Sequence, residues 1–141
     1  MKASDFKDDF ALFLETGFIA INQQDEKAAI KLFECCEILD PENILPKVGF
    51  GYLHIHKLEL NEAVKCFEEV LKKESDNEMA KTFMGLSYSL MPNGLEKGEK
   101  LLLEMSKNAK EETVKTLADT ALDFVNRFVK LAPSPAEIKK K

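Results

Sequence analysis

Three glycines recur at one spacing: the steps from Gly17 to Gly51 and from Gly51 to Gly85 are both 34 residues. A chain that repeats at a fixed period of this size has to build the same small unit several times and stack the copies. The same step links Ala29 with Ala63 and Phe33 with Phe67, and the strings at 29–34 and 63–68 (AIKLFE and AVKCFE) are nearly interchangeable. A glycine inside a helix costs about 1 kcal/mol relative to alanine, so periodic glycines mark places where a second helix crosses too closely for a side chain. Further along each unit, Ala29, Phe33 and Cys36 fall at i, i+4, i+7, as do Ala63, Phe67 and Val70. That pattern gives a second helix one apolar face, which packs back onto the first.

The periodicity predicts an all-α chain with helices over about 5–22, 26–39, 43–57, 60–73, 77–91 and 95–108. They are separated by turn and cap residues such as Asn22-Gln23-Gln24-Asp25 and Asp40-Pro41-Glu42. A seventh helix over about 111–131 carries Val114, Leu117, Ala121, Phe124, Val125 and Phe128 on one stripe and is expected to cover the open end of the stack. The segment 132–141, with Pro133, Pro135 and Lys139-Lys140-Lys141, is too polar to bury much and reads as a flexible tail after a single domain at 1–131.

Composition narrows function by exclusion. No run of about 18 uncharged apolar residues exists, and Met1 to Asp5 lead into acidic residues, so neither a membrane span nor a signal peptide is expected. A net charge of −5 disfavours nucleic acid as a partner. Cys35, Cys36 and Cys66 form neither an even set nor a CxxC pair, which reads as buried reduced thiols in a cytoplasmic protein. His54 and His56 are two residues apart and would project about 200° from each other on a helix, so no shared metal is expected. No nucleophile, base and orienting group occur at recognisable spacing; the chain reads as no enzyme, with no catalytic residues, cofactor or metal. Lys31 with Glu34, and Lys65 with Glu68, read as solvated i, i+3 pairs.

These residues resemble the tetratricopeptide repeat (TPR) pattern of a bulky residue, Gly, an aromatic, Ala, Phe, a small residue and Pro. Repeat one, about 10–43, has Phe13, Gly17, Ala29, Phe33, Cys36 and Pro41; repeat two, about 44–77, has Gly51, Ala63, Phe67 and Val70, with Ser75 in place of proline. Repeat three, about 78–108, keeps Gly85 and Tyr88, but Met91-Pro92-Asn93-Gly94 lengthens its internal turn by about one residue. Gly98, Leu102 and Met105 then take the Ala, Phe and small-residue places. The resemblance implies a helical-hairpin solenoid of about three repeats plus the closing helix, and puts His54 at an aromatic packing position.

In TPR stacks the first helix of each repeat lines a concave surface, with groove residues at unit positions 2, 5, 9 and 12. Carried over, these are Ala11, Leu14, Phe18 and Ile21; Leu45, Val48, Tyr52 and Ile55; and Met79, Thr82, Leu86 and Ser89. The Lys, Arg and Asn that clamp a chaperone's C-terminal carboxylate in some TPR domains have no counterpart here. Such a surface suits the apolar face of a partner's amphipathic helix. It could equally be covered by the N-terminal segment, by the closing helix or by a second copy. On the partner-binding reading, Val48→Asp or Tyr52→Asp is expected to abolish binding and spare the fold. Size and architecture are similar to the small TPR chaperones of bacterial type III secretion that hold the needle subunit. The resemblance implies sequestration of an amphipathic helix of a secreted, filament-forming subunit, together with a second small helical co-chaperone. The rival expectations are a scaffold or adaptor in a multi-protein complex, or a chaperone for translocator proteins.

Overall fold

In the computed structural model, which describes residue 6 and residues 8–131, seven α-helices alternate with short turns: α1 Phe10–Asn22, α2 Glu26–Leu39, α3 Leu45–His56, α4 Leu60–Lys73, α5 Glu78–Leu90, α6 Leu95–Asn108 and α7 Glu112–Phe124. No strand forms among the described residues. The first helix, expected from about residue 5, starts at Phe10; residues 1–5 and 7 lie outside the described residues, as does the expected tail at 132–141. The closing helix does not run on as a regular α-helix but widens into a π turn at Val125–Val129. The remaining ends fall close to the expected ones, and two of the helix starts are fixed by side-chain caps: Asp25 accepts a hydrogen bond from the Ala28 amide at 3.1 Å and Asn77 from the Ala80 amide at 2.9 Å.

The turns repeat as faithfully as the helices. Gln24 and Leu58, 34 residues apart, both sit in the left-handed region with φ of 62° and 58°. At each, two crossed bonds close the end of the preceding helix: Asp25 N–H to Ala20 O and Gln24 N–H to Ile21 O, then Glu59 N–H to His54 O and Leu58 N–H to Ile55 O. This double bond pattern satisfies carbonyls that a helix end would leave orphaned. In the third hairpin the left-handed residue is Asn93, φ 62°, one position later than the period requires. The turn between α5 and α6 therefore has four residues, 91–94, where 23–25 and 57–59 have three.

The periodic glycines are crossing points. A Cβ on Gly17 would lie 2.5 Å from the Phe33 ring, and one on Gly51 would lie 2.6 Å from the Phe67 ring. Phe33 and Phe67 are fully buried, so neither ring can move aside. Gly49 meets Phe33 from the other side at 2.6 Å, so this ring is sandwiched between α1 and α3. From it an aromatic chain runs through the core: Phe33 to Phe18 at 5.4 Å, Phe18 to Tyr52 at 5.5 Å, Tyr52 to Phe83 at 5.2 Å and Phe83 to Phe67 at 5.8 Å. Tyr52 packs against both the first apolar cluster and the larger one built on α3, α4 and α5.

Consecutive helices pack pairwise as hairpins, and each hairpin packs on the next. The first helices also touch one another, α1 on α3, α3 on α5 and α5 on α7, whereas no Cα of α2 comes within 8 Å of α4, nor any of α4 within 8 Å of α6, among the described residues. Close approach on one side and separation on the other bends the stack, with α1, α3, α5 and α7 inside the curve. The chain is a helical-hairpin solenoid whose seventh helix takes the place of the next first helix. Val114 and Ala118 of α7 join Met105 and Ala109 in one small apolar cluster, and Ala121 and Val125 join Leu102 in another.

Candidate protein-binding surface

Charge divides the two sides of the solenoid. Of Asp, Glu, Lys and Arg, α1 carries only Glu15, α3 only Lys47, and α5 only Glu78 and Lys81, whereas the closing helix α7 carries Glu112, Lys115, Asp119 and Asp123. The partner helices of α1, α3 and α5 alternate Lys and Glu along their outer faces, as in Glu62, Lys65, Glu68, Glu69, Lys72 and Lys73 of α4. Few charges therefore lie on the inner side of α1, α3 and α5, and the residues that reach the surface there at Ala11, Leu45, Phe18, Tyr52, Met79 and Leu86 are chiefly apolar.

The expected groove residues divide by register. Ile21, Val48, Ile55, Thr82 and Ser89 are buried, at 2, 2, 7, 1 and 1% exposure. Leu14, Phe18, Tyr52, Met79 and Leu86 are half-buried, and Ala11 and Leu45 are exposed, Leu45 at 40%. Positions 2 and 9 of the unit thus reach the surface, while 5 and 12 are sealed against the neighbouring first helix, except at Leu14 in the first hairpin. Residues seven apart share a helix face, so the split follows one stripe per helix. The hydroxyls of Thr82 and Ser89 are spent on their own helix, donating to Glu78 O and Gly85 O at 2.8 Å each. Burial also corrects one expectation: Val48 sits in the core beside Phe67, so Val48→Asp would strike the fold directly. Tyr52 is a joint as much as a surface residue, since its hydroxyl donates to Asn22 Oδ1 at 2.9 Å and its ring meets His56 at 4.5 Å.

Polar contacts staple the hairpins at the turn edge. Lys57 reaches back to Glu26 at 2.7 Å and across to Glu59 at 3.3 Å, and His54 Nδ1 lies 3.0 Å from the same Glu59 oxygen. Hydrogen bonding to Glu26 raises Lys57 above the ordinary lysine range, and hydrogen bonding to His54 lowers Glu59. His54 is half-buried against this carboxylate rather than fully in the core. Among the cysteines, Cys36 is buried and Cys66 half-buried, both pushed up by burial, but Cys35 is exposed, against the expectation for three buried thiols.

Two apolar stripes stay at the surface: one on α1 that periodicity did not single out, and one that includes Phe124 and Phe128, which were expected on the covering stripe of the closing helix but point away from its buried side at Val114, Ala121 and Val125. On α1, Leu12 and Ile19 are 58 and 52% exposed at the first end of the stack; at the other end Phe124, Phe128 and Leu131 are 43, 65 and 76% exposed. Both have i, i+4, i+7-type spacing that is visible in the sequence, and what distinguishes them from core stripes is that no helix among the described residues covers them. Among the described residues no three His, Cys, Asp or Glu side chains gather closely enough to hold a metal, and no helix is long and apolar enough to cross a membrane. Comparison with protein-family models, curated proteins and solved structures finds no match to this chain.

Proposed function

We propose that this chain is a TPR-like chaperone that holds an amphipathic helix of a partner polypeptide against the inner side of the solenoid. The observation that carries the reading is the nearly uncharged run of α1, α3 and α5 with an open apolar stripe at Leu45, Met79, Phe18, Tyr52 and Leu86. A helix with apolar residues at i, i+3, i+4 and i+7 can lay one face along such a stripe. A subunit that buries its helix among like subunits needs an equivalent surface to keep it from assembling early, and coupled folding on that surface leaves the hold reversible. Within this reading, a needle-subunit chaperone of type III secretion, working with a second small helical co-chaperone, is the specific form we favour.

Co-expression with the products of neighbouring genes tests it. The expected result is a soluble complex that Leu45→Glu together with Leu86→Glu dissolves while the helical circular-dichroism signal persists. No complex from the unaltered chain, with the chain itself a stable monomer, would overturn the reading. A second reading, a scaffold in a larger assembly, is favoured by the uncovered apolar ends at Leu12/Ile19 and Phe124/Phe128/Leu131. It predicts that Ile19→Glu or Phe128→Glu, and not the inner substitutions, removes the partner.

A further inference from the structure

A cleft of about 560 Å³ opens where the start of α5 meets the end of α6 and the start of α7. Its floor is apolar: Met79 is half-buried, Met105 and Val114 are buried, and Leu45 of α3 forms one wall. Two methionines in a floor of this kind adapt to side chains of different shape. The rim is acidic. Glu74, Asp76 and Glu78 come from the approach to α5, Glu104 from α6 and Glu111 from the turn before α7, against only Lys81 and Lys110.

The rim is held in place before any ligand arrives. The Asn77 side chain accepts from the Ala80 amide at 2.9 Å and donates to Glu74 at 3.1 Å. Glu78 accepts from the Lys110 backbone amide at 2.7 Å, tying α5 to the turn between α6 and α7. Lys81 lies 4.0 Å from Glu104, whereas Asp76 and Glu111 have no ion-pair partner among the described residues. A volume within the roughly 300–1,000 Å³ usual for ligand sites takes a few side chains and not a whole helix.

We infer that this cleft docks a short basic segment of the partner polypeptide, seating one or two aliphatic or methionine side chains on the Met79/Met105/Val114 floor with Lys or Arg on either side against the acidic rim. The inference rests on the inner side being a polypeptide-binding surface and adds the charge of the segment it takes. Apolar burial supplies the anchor, and rim charges select sign and register. An acidic or uncharged segment would leave Asp76 and Glu111 facing like charge or nothing.

The probe is a fluorescein-labelled Lys-Lys-Met-Leu-Lys-Arg peptide titrated into the full chain by anisotropy, beside Glu-Glu-Met-Leu-Glu-Glu and Lys-Lys-Ser-Ser-Lys-Arg. The basic apolar peptide is expected to bind about tenfold tighter than either control and to weaken by about tenfold between ~0.05 and ~0.3 M salt. Asp76→Lys with Glu111→Lys, both exposed, should remove that preference, while Glu34→Lys with Glu68→Lys on the outer faces of α2 and α4 should keep it. Equal binding of all three peptides, or equal loss in both charge-reversed pairs, would overturn the inference. So would stronger peptide binding by Lys139→Glu/Lys140→Glu/Lys141→Glu, since the chain's own basic segment would then be the occupant. If the peptide fails but a co-expressed partner is still held and is lost with Leu86→Glu, the cleft inference falls alone.

Discussion

At the scale of single residues, space and backbone conformation decide most. Gly49→Ala is expected to destabilise, because overpacking of about 1–3 kcal/mol against the immobile Phe33 ring outweighs the ~1 kcal/mol of helix propensity gained. Urea unfolding measures it, and a rise in stability would contradict the sandwich. Leu58 offers the opposite case: it is 71% exposed and held at φ 58°, a region costly for leucine and tolerated by asparagine. Leu58→Asn should add about 0.5–1 kcal/mol, read as a higher melting temperature. Thiol labelling of the native chain should modify Cys35 first and reach Cys36 only on unfolding. Glycines 17 and 51 were legible because their partners Phe33 and Phe67 lie one helix on in the same unit. Gly49 was not: its contact joins two units, and the residues 34 away are Glu15 and Phe83, so no period betrays it.

At the scale of helices and turns, hydrophobic spacing located all seven helices, since one buried stripe is all a hairpin needs. The inserted residue at 91–94 was equally visible, as the displacement of Gly98, Leu102 and Met105 from the period. What spacing could not reveal is how far one first helix turns onto the next. That rotation closes positions 5 and 12, Leu14 apart, and leaves 2 and 9 open, so five of the twelve expected groove residues, Ile21, Val48, Ile55, Thr82 and Ser89, became core. Val48→Asp is therefore expected to cost several kcal/mol, on the order of the penalty for an unpaired buried charge, with loss of helicity on heating at much lower temperature. Leu45→Glu, on an exposed site of the same helix, should change stability by about 0.5 kcal/mol or less. Equal effects from the two would contradict the register split.

At the scale of the whole molecule, curvature turns a periodic sequence into a surface of two characters: nearly uncharged α1, α3 and α5 inside, alternating charges outside, and an acidic cleft where the inner stripe runs past Leu45 and Met79 towards the charged α7. The charge asymmetry was present in the sequence, since it follows helix by helix; the cleft was not, because it joins residues from Leu45 to Val114 that only the stack brings together. The central claim is that partners are held on the inner side. It is tested most directly by placing a photo-crosslinking amino acid at Ala11, Leu45 and Leu86 on the inside, and at Glu34 and Glu68 on the outside, in the complex formed by co-expression. Crosslinks to the partner from the inner three alone are the predicted result. Crosslinks from Glu34 and Glu68, with none from Leu45 or Leu86, would contradict it.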